Sequence, residues 1–166
     1  MAIFKAHFEE SLVLDTTVDM AKALFGDLDA IIAHSPGLEK GEKLDDKTIR
    51  FLLKPRRALG VTFQGDYVCE YNFISDSRLE WQTQGSGNVE ATGSADFHAL
   101  GENRSKVTYR QNLNCDIPVN RFVAKAISPI VELSINSGMR DYLKRVKEQA
   151  RRQPSRDSSR GRAGAR

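Results

Sequence analysis

The side chains that most often carry catalysis or bind metals are few in this sequence and widely spaced. The histidines are His7, His34 and His98, and the cysteines are Cys69 and Cys115. Their spacing yields no Ser/His/Asp, Cys/His, HExxH or CxxC arrangement, so the sequence predicts no catalytic residues, no metal site and no cofactor. We interpret His7 and His98 as surface residues, and we favour a surface turn over a ligand contact for His34.

Another set of polar groups falls among apolar residues on one face of strand-like segments. Tyr67, Tyr71, Thr83, Tyr109 and Gln111 alternate with polar neighbours and share a side with large rings. A concave apolar surface with a few polar groups is typical of small-molecule sites, and here Gln111 and Tyr71 would hold the polar end of a ligand. The predicted ligand-binding residues are Phe63, Tyr67, Tyr71, Trp81, Phe97, Tyr109, Gln111, Phe122 and Ile130.

A run of strands positions these residues. Alternation predicts a strand over 2–12, followed by a helix Val18–Phe25 capped by Asp15, Thr16 or Thr17, and by a second short helical turn. Hairpin-length turns then separate segments that indicate an antiparallel meander with one apolar face. These segments are 37–43, 48–54, 61–74, 78–85, 89–99 and 105–117.

The periodicity becomes helical after Pro118, which suits a first helical turn. A broad apolar stripe from Val119 to Val146 predicts one long helix, which Pro129 must kink or split, with Ser128 as a new cap. A sheet with one apolar face needs a cover, and this helix is the long element available. We therefore predict an α+β helix-grip fold, in which a curved antiparallel sheet of about seven strands wraps on the C-terminal helix, with two short helices after strand 1.

Small residues on the apolar side of the central strands leave two interpretations open. Gly65, Gly85, Ala91, Gly93 and Ala95 face the same way as the large rings. Protein interiors pack to crystal-like density, so such a run beneath one helix can leave an unfilled cavity. Alternatively, Gly and Ala let the sheet bend and the helix dock closely.

Several short motifs follow one another in a characteristic order. They are Pro36-Gly37-Leu38, Phe63-Gln64-Gly65, Gly85-Ser86-Gly87, Gly93-Ser94-Ala95 and a Leu-Asn-Cys-Asp-Ile-Pro strand end. Over residues 2–148 this order resembles the START-like (SRPBCC) superfamily, and within it the G subunit of carbon monoxide dehydrogenase and the polyketide cyclase/dehydrase-like proteins. The resemblance implies binding of apolar molecules such as lipids, quinones, sterols or polyketides, and some relatives are enzymes. It also implies that the strands of Cys69 and Cys115 lie about 14 Å apart, so we expect free, buried thiols.

Charge is unevenly distributed along the chain. The formal net charge is +3, but residues 151–166 hold six Arg and one Asp, so residues 1–150 carry −2. We predict a START-like ligand-binding domain over 1–149 and a disordered Arg-rich tail over 150–166. The tail lacks interleaved aromatics, which argues against specific nucleic-acid binding and leaves an anionic membrane surface, an acidic partner or no specific role.

A second basic group surrounds Pro55 and consists of Arg50, Lys54, Arg56 and Arg57. Solvated strand ends are the favoured interpretation, and contact with an anionic head group at the rim of the cavity is the alternative.

The leading functional hypothesis is binding or carriage of an apolar small molecule (lipid, quinone or polyketide-like) rather than catalysis. The alternatives are a cyclase/aromatase-type enzyme that uses the same cavity, and an interaction module that acts through its basic tail. No apolar run approaches the length of about 18 residues that a membrane span needs, and no signal peptide is recognised. We therefore expect a cytoplasmic protein, with a peripheral position on the inner face of a membrane as an alternative.

Overall fold

The computed structural model describes residues 2–152 and places one antiparallel sheet around a long C-terminal helix. The main sheet has seven strands in the order β1-β9-β8-β7-β6-β3-β2. The α+β helix-grip fold is therefore confirmed, with its two short helices after the first strand. The strands are β1 (Ala2–Leu14), β2 (Leu38–Lys43), β3 (Thr48–Leu53), β4 (Arg56–Ala58), β5 (Val61–Phe63), β6 (Asp66–Ser75), β7 (Arg78–Gln84), β8 (Val89–Gly101) and β9 (Arg104–Ile117), and the helices are α1 (Val18–Gly26), α2 (Leu28–His34) and α3 (Arg121–Arg152).

Alternation along each strand gives the sheet an apolar inner face and a charged outer face. On β9, Tyr109 is buried on the inner side, whereas Lys106 on the other side is exposed. Ion pairs link the outer faces of neighbouring strands: Arg78 and Arg110 both contact Asp96, at N–O distances of 2.9 and 2.8 Å. The inner face of the sheet therefore forms the core and faces α3.

Side-chain caps fix the two short helices at one end of the sheet. Among the expected caps of α1, Thr17 is the one used, because its Oγ1 accepts from the Met20 N–H at 3.1 Å. The Asp27 carboxylate caps α2 and accepts from the Asp29 N–H at 2.9 Å. Phe25, which is fully buried, anchors α1 in the core.

The C-terminal element α3 is one helix rather than two. Asn120 caps its start, because Asn120 Oδ1 accepts from the Val123 N–H at 3.0 Å, so Pro118 precedes the helix instead of occupying its first turn. Pro129 does not split the helix. Both Pro129 and Lys125, whose carbonyl loses its partner, lie on the exposed side, where water can solvate that carbonyl.

The helix also continues past the domain boundary expected at residue 149. Ala150 is buried in the core, and an oxygen of the Asp15 carboxylate lies 3.9 Å from Arg151 Nε. Burial of Ala150 anchors the last turn of α3, which extends to Arg152, and the exposed Arg151–Asp15 pair adds little. The rest of the Arg-rich tail, 153–166, lies outside the described residues. No helix between residues 2 and 152 has the combination of length and hydropathy required of a membrane span.

The strand predicted over 61–74 is two strands in the structure. β5 pairs with β4 in a separate hairpin, and β6 alone joins the main sheet. The chain bends at Gln64-Gly65, where the Leu53 N–H bonds the Gly65 carbonyl at 2.8 Å and the Gln64 amide bonds the Leu53 carbonyl at 3.0 Å. A Cβ on Gly65 would lie only 2.8 Å from the tip of the Leu53 side chain, so a larger residue here would have to displace that side chain.

Candidate functional site

A cavity of about 590 Å³ lies between the inner face of the sheet and α3. Strands β3 and β6 to β9 contribute one wall, and α3 contributes the other through Ile127, Val131 and Ile135. Apolar side chains make up most of the lining. The chain therefore encloses far more space than the small voids of an ordinary close-packed interior.

One row of residues across four neighbouring strands forms the aromatic wall of this cavity. Tyr71, Trp81, Gly93 and Gln111 follow one another in register. The Trp81 indole covers Gly93, where a Cβ would overlap the ring, and Tyr71 stacks on Trp81 with ring centroids 5.7 Å apart. Gly93 thus makes room for an aromatic ring, whereas Ala91 lines the cavity itself. Ala91 thus fits the cavity interpretation, whereas Gly93 has a role that neither interpretation anticipated.

The buried Gln111 side chain holds this wall together. Its Oε1 accepts from Trp81 Nε1 at 2.8 Å and from the Tyr109 hydroxyl at 3.2 Å. Its amide donates to the Asn112 carbonyl at 3.2 Å. Protein donors therefore already occupy the carbonyl oxygen that was expected to hold the polar end of a ligand.

Unlike Gln111 Oε1, two tyrosine hydroxyls in the cavity have no hydrogen-bond partner within residues 2–152. Tyr67 and Tyr71 lie on the same face of β6, and neither hydroxyl makes a hydrogen bond to another part of residues 2–152. Burial raises the pKa of both phenols above its ordinary value. They are therefore neutral at physiological pH and can donate a hydrogen bond to an acceptor inside the cavity.

The two cysteines are free and buried, as expected, and both line the cavity. Burial raises the pKa of Cys69 to about 12 and that of Cys115 to about 11, so both remain protonated thiols at neutral pH. Among residues 2–152, no group of three or more His, Cys, Asp or Glu side chains is placed to hold a metal ion.

The lining residues that are also exposed to solvent mark the mouth of the cavity. They are Arg56 and Arg57 of the β4–β5 hairpin and Ile130 of α3, with the α2–β2 turn beside Arg56. Ser35 lines the cavity from the α2–β2 turn, and Arg56 of the hairpin donates to Ser134 Oγ of α3. The hairpin turns at Leu59 and Gly60, whose φ angles are 50° and 78°. Two consecutive positive φ angles are typical of a type I′ turn.

The structure brings most of the predicted ligand-binding residues together around this cavity and excludes two. Phe97 is buried elsewhere in the core, where it packs on Phe25 with ring centroids 5.9 Å apart. The first half of α3 has apolar residues on two of its sides, and only one of these sides faces the cavity. Phe122 lies on the other apolar side and is 89% exposed. The predicted residues that do line the cavity are Phe63, Tyr67, Tyr71, Trp81, Tyr109, Gln111 and Ile130.

Sequence reasoning missed further lining residues. Phe51 stacks on Tyr67 with centroids 5.1 Å apart, and Leu113 and Met139 also reach the cavity. The alternation over 48–54 places Phe51 on the apolar face, and that signal could have identified it. His34 does not line the cavity; its Nδ1 lies 2.7 Å from the Ala30 carbonyl oxygen.

Comparison with known proteins identifies the fold. No protein-family model and no curated protein matches the sequence. Among solved structures, a START superfamily protein from Mycobacterium smegmatis is 10% identical, with coverage of 88% of this chain and 97% of that chain and a TM-score of 0.66.

Two enzymes share the same architecture. An aromatase/cyclase from a Streptomyces species is 12% identical and matches with a TM-score of 0.67, over 89% of this chain and 94% of that chain. Norcoclaurine synthase from Thalictrum flavum is 12% identical and matches with a TM-score of 0.59, over 93% of this chain and 91% of that chain. Structural similarity at such low sequence identity establishes a common fold only. The function has to be argued from the residues of the cavity.

Proposed function

We propose that this chain, which has the START-like (SRPBCC) fold, binds or carries an apolar small molecule of the lipid, quinone or polyketide-like kind. The observation that carries the proposal is the cavity of about 590 Å³ beneath α3. Its volume falls within the range of about 300–1,000 Å³ typical of ligand sites. Its apolar lining with a few polar groups is also the usual composition of such sites.

The composition of the wall favours an apolar ligand that carries a hydrogen-bond acceptor. Stacked pairs, Phe51 with Tyr67 and Tyr71 with Trp81, offer flat faces to a planar or extended body. The hydroxyls of Tyr67 and Tyr71 offer donors that no protein acceptor within residues 2–152 uses. A carbonyl or ether oxygen of the ligand would satisfy them, and desolvated apolar surface would supply most of the binding free energy.

Binding is favoured over catalysis by the titratable groups of the cavity. Within the described residues, the lining contains Tyr, Cys and two Arg side chains but no His, Asp or Glu. Burial raises the pKa of the phenols and thiols, which moves them away from the values near neutrality that general acid–base catalysis uses.

The cyclase/aromatase alternative rests on one specific observation, the unpartnered phenols. A neutral Tyr67 or Tyr71 hydroxyl could polarise a carbonyl of a reactive chain while the walls hold that chain in a folded shape. The two enzyme structures support this interpretation, since one is an aromatase/cyclase and the other is a synthase in complex with dopamine and hydroxybenzaldehyde. Only turnover of a bound molecule would distinguish the enzyme from the carrier.

Native mass spectrometry of the freshly purified protein, followed by organic extraction, tests the proposal. We expect a stoichiometric apolar adduct, or uptake of a member of a panel of quinones, fatty acids and sterols. Ala91→Phe, which places a ring in the cavity, should reduce the adduct, whereas Ala99→Phe on the exposed end of the same strand should not. A protein that carries nothing and takes up nothing from the panel would overturn the proposal. Chemical conversion of the bound molecule would favour the enzyme.

A further inference from the structure

The charged side chains of the cavity all lie at its mouth. Among the described residues, Arg56 and Arg57 are the charged residues that line the cavity, and both are exposed to solvent on the β4–β5 hairpin. Arg56 donates through Nη1 to Ser134 Oγ of α3, and its Nη2 would lie 3.6 Å from a Cβ on Gly37 in the α2–β2 turn. The guanidinium of Arg56 therefore lies between α3 and the α2–β2 turn.

The protein contacts of these two arginines leave their charge uncompensated. Arg57 Nε donates to Thr62 Oγ1 at 3.3 Å, so each guanidinium has a hydroxyl partner. Within residues 2–152, neither makes an ion pair with a carboxylate. The nearby Arg50 differs, because it holds Asp66 through two hydrogen bonds of 3.0 and 2.8 Å on the outer face of the sheet. Within residues 2–152, Arg50 of the basic group seen in the sequence is thus ion-paired, whereas Lys54 and the two arginines at the mouth are not.

We propose that Arg56 and Arg57 bind the acidic head group of an amphiphile whose apolar body occupies the cavity. This inference rests on the proposed function and adds the charge and the orientation of the ligand. Planar guanidinium groups match carboxylate and phosphate oxygens in geometry and charge, and most N–H donors of both arginines have no acceptor within residues 2–152. A carboxylate head and a phosphate head present the same chemistry to this pair.

The interior of the cavity fixes the orientation of such a ligand. An ionised head placed among Tyr67, Trp81 and the apolar wall would lose its hydration without gaining a cation. At the mouth, the same head stays partly hydrated and meets two positive charges. The body then extends inward to the aromatic row, and a cationic head would be repelled at the entrance.

Amphiphiles with one tail and different heads test this assignment. The full chain is loaded with Nile red, a neutral apolar dye, and the dye is displaced by decanoate, decyl phosphate, decan-1-ol and decyltrimethylammonium. We expect the two anions to displace the dye at concentrations at least tenfold lower than the alcohol, and the cation to be weakest. Added salt should narrow these differences because the arginines are exposed. The two anionic probes tell a carboxylate head from a phosphate head.

Matched variants identify the groups responsible. Arg56→Gln combined with Arg57→Gln should make the four heads nearly equal while Nile red still binds. Lys47→Gln combined with Lys106→Gln removes the same charge from exposed positions away from the β4–β5 hairpin and outside the lining, and should preserve the preference. Equal displacement by all heads in the natural protein, or the same loss in both variants, would overturn the assignment and leave apolar binding intact. Failure to bind Nile red or any decyl probe would refute the proposed function as well.

Discussion

The Trp81 indole crosses over Gly93 on the adjacent strand to reach Gln111 two strands away. Trp81 pairs with Gly93 in the β7–β8 register, and Gly93 pairs with Gln111 in the β8–β9 register. A Cβ at Gly93 would overlap the indole, while Trp81 Nε1 lies 2.8 Å from Gln111 Oε1. The absence of a side chain at one position therefore permits the hydrogen bond between the other two.

Gly93→Ala should destabilise the protein by about 1–3 kcal/mol, because the added methyl group forces the indole out of its place. Trp81 is the sole tryptophan of the chain, so its emission spectrum reports the displacement during urea unfolding. Gly101→Ala on the same strand is the control, since its Cβ would meet open space. Unchanged stability and emission in Gly93→Ala would contradict the packing described.

Leu59 at the tip of the β4–β5 hairpin is a position where substitution should increase stability. Its φ of 50° is unfavourable for a side chain with a Cβ, and at 66% exposure the leucine gains little from packing. Leu59→Asn should raise the free energy of unfolding by about 1 kcal/mol, because Asn tolerates the left-handed region and favours type I′ turns.

Leu59→Ala separates backbone strain from surface hydrophobicity, and both variants can be compared by chemical denaturation. Alanine removes the exposed apolar chain but keeps the unfavourable φ, so it should give no comparable gain. An equal gain in both variants would show that strain at Leu59 is not the cause.

Stability should fall steeply at high pH because of the buried thiols. The folded-state pKa values of Cys69 and Cys115 are about 12 and about 11, above the ordinary value of 9.0. Between pH 9 and these values the unfolded chain loses protons that the folded protein keeps, so unfolding becomes more favourable as the pH rises. Each thiol can contribute a slope of about 1.4 kcal/mol per pH unit within its window.

Urea unfolding of the natural protein and of Cys69→Ala combined with Cys115→Ala, from pH 8 to pH 11, measures this effect. The double variant should start less stable but lose stability more gradually above pH 9. Buried tyrosines add a further loss of stability to both proteins from about pH 10, the ordinary pKa of a phenol, because burial raises their pKa in the folded state. Parallel curves for the two proteins would refute the role of the thiols.

The fold was predictable because alternation and helical periodicity are local signals that agree with one another. The strand faces that buried Trp81 and Tyr109 could be read directly from period-two patterns. The bend at Gln64-Gly65 could not, since it depends on the approach of Leu53 from another strand. Apolar alternation continues through the bend and conceals it.

The cavity was predictable in outline and not in detail. Parity placed Tyr67 and Gln111 on the inner face. It could not show that Gln111 Oε1 already accepts from protein donors while the Tyr67 hydroxyl has no partner in the part of the chain that the structure describes. Phe122 and Phe97 were misplaced because hydrophobicity alone does not tell a cavity wall from a core or from an exposed helix face. Whether an apolar residue lines a cavity, packs in the core or stays exposed depends on its tertiary contacts. The residue type and its local pattern do not reveal those contacts.

Substitution of three tyrosines can separate effects on ligand affinity from effects on the free energy of unfolding. The Tyr109 hydroxyl donates to Gln111 Oε1 at 3.2 Å, whereas the Tyr67 and Tyr71 hydroxyls have no protein acceptor within residues 2–152. Tyr109→Phe should therefore cost about 1 kcal/mol of unfolding free energy, and Tyr67→Phe and Tyr71→Phe should stay within about 0.5 kcal/mol of the natural protein.

For ligand affinity we expect the opposite order, with larger effects at Tyr67 and Tyr71 than at Tyr109. With menadione as a neutral probe whose carbonyls accept hydrogen bonds, Tyr67→Phe or Tyr71→Phe should weaken the affinity by up to about tenfold, which corresponds to about 1.4 kcal/mol. Isothermal titration of menadione into each variant gives this number, and urea unfolding gives the stability. If both cavity phenols could be removed without loss of affinity, the ligand would be held by apolar contact alone, and the hydroxyls would have no part in recognising it.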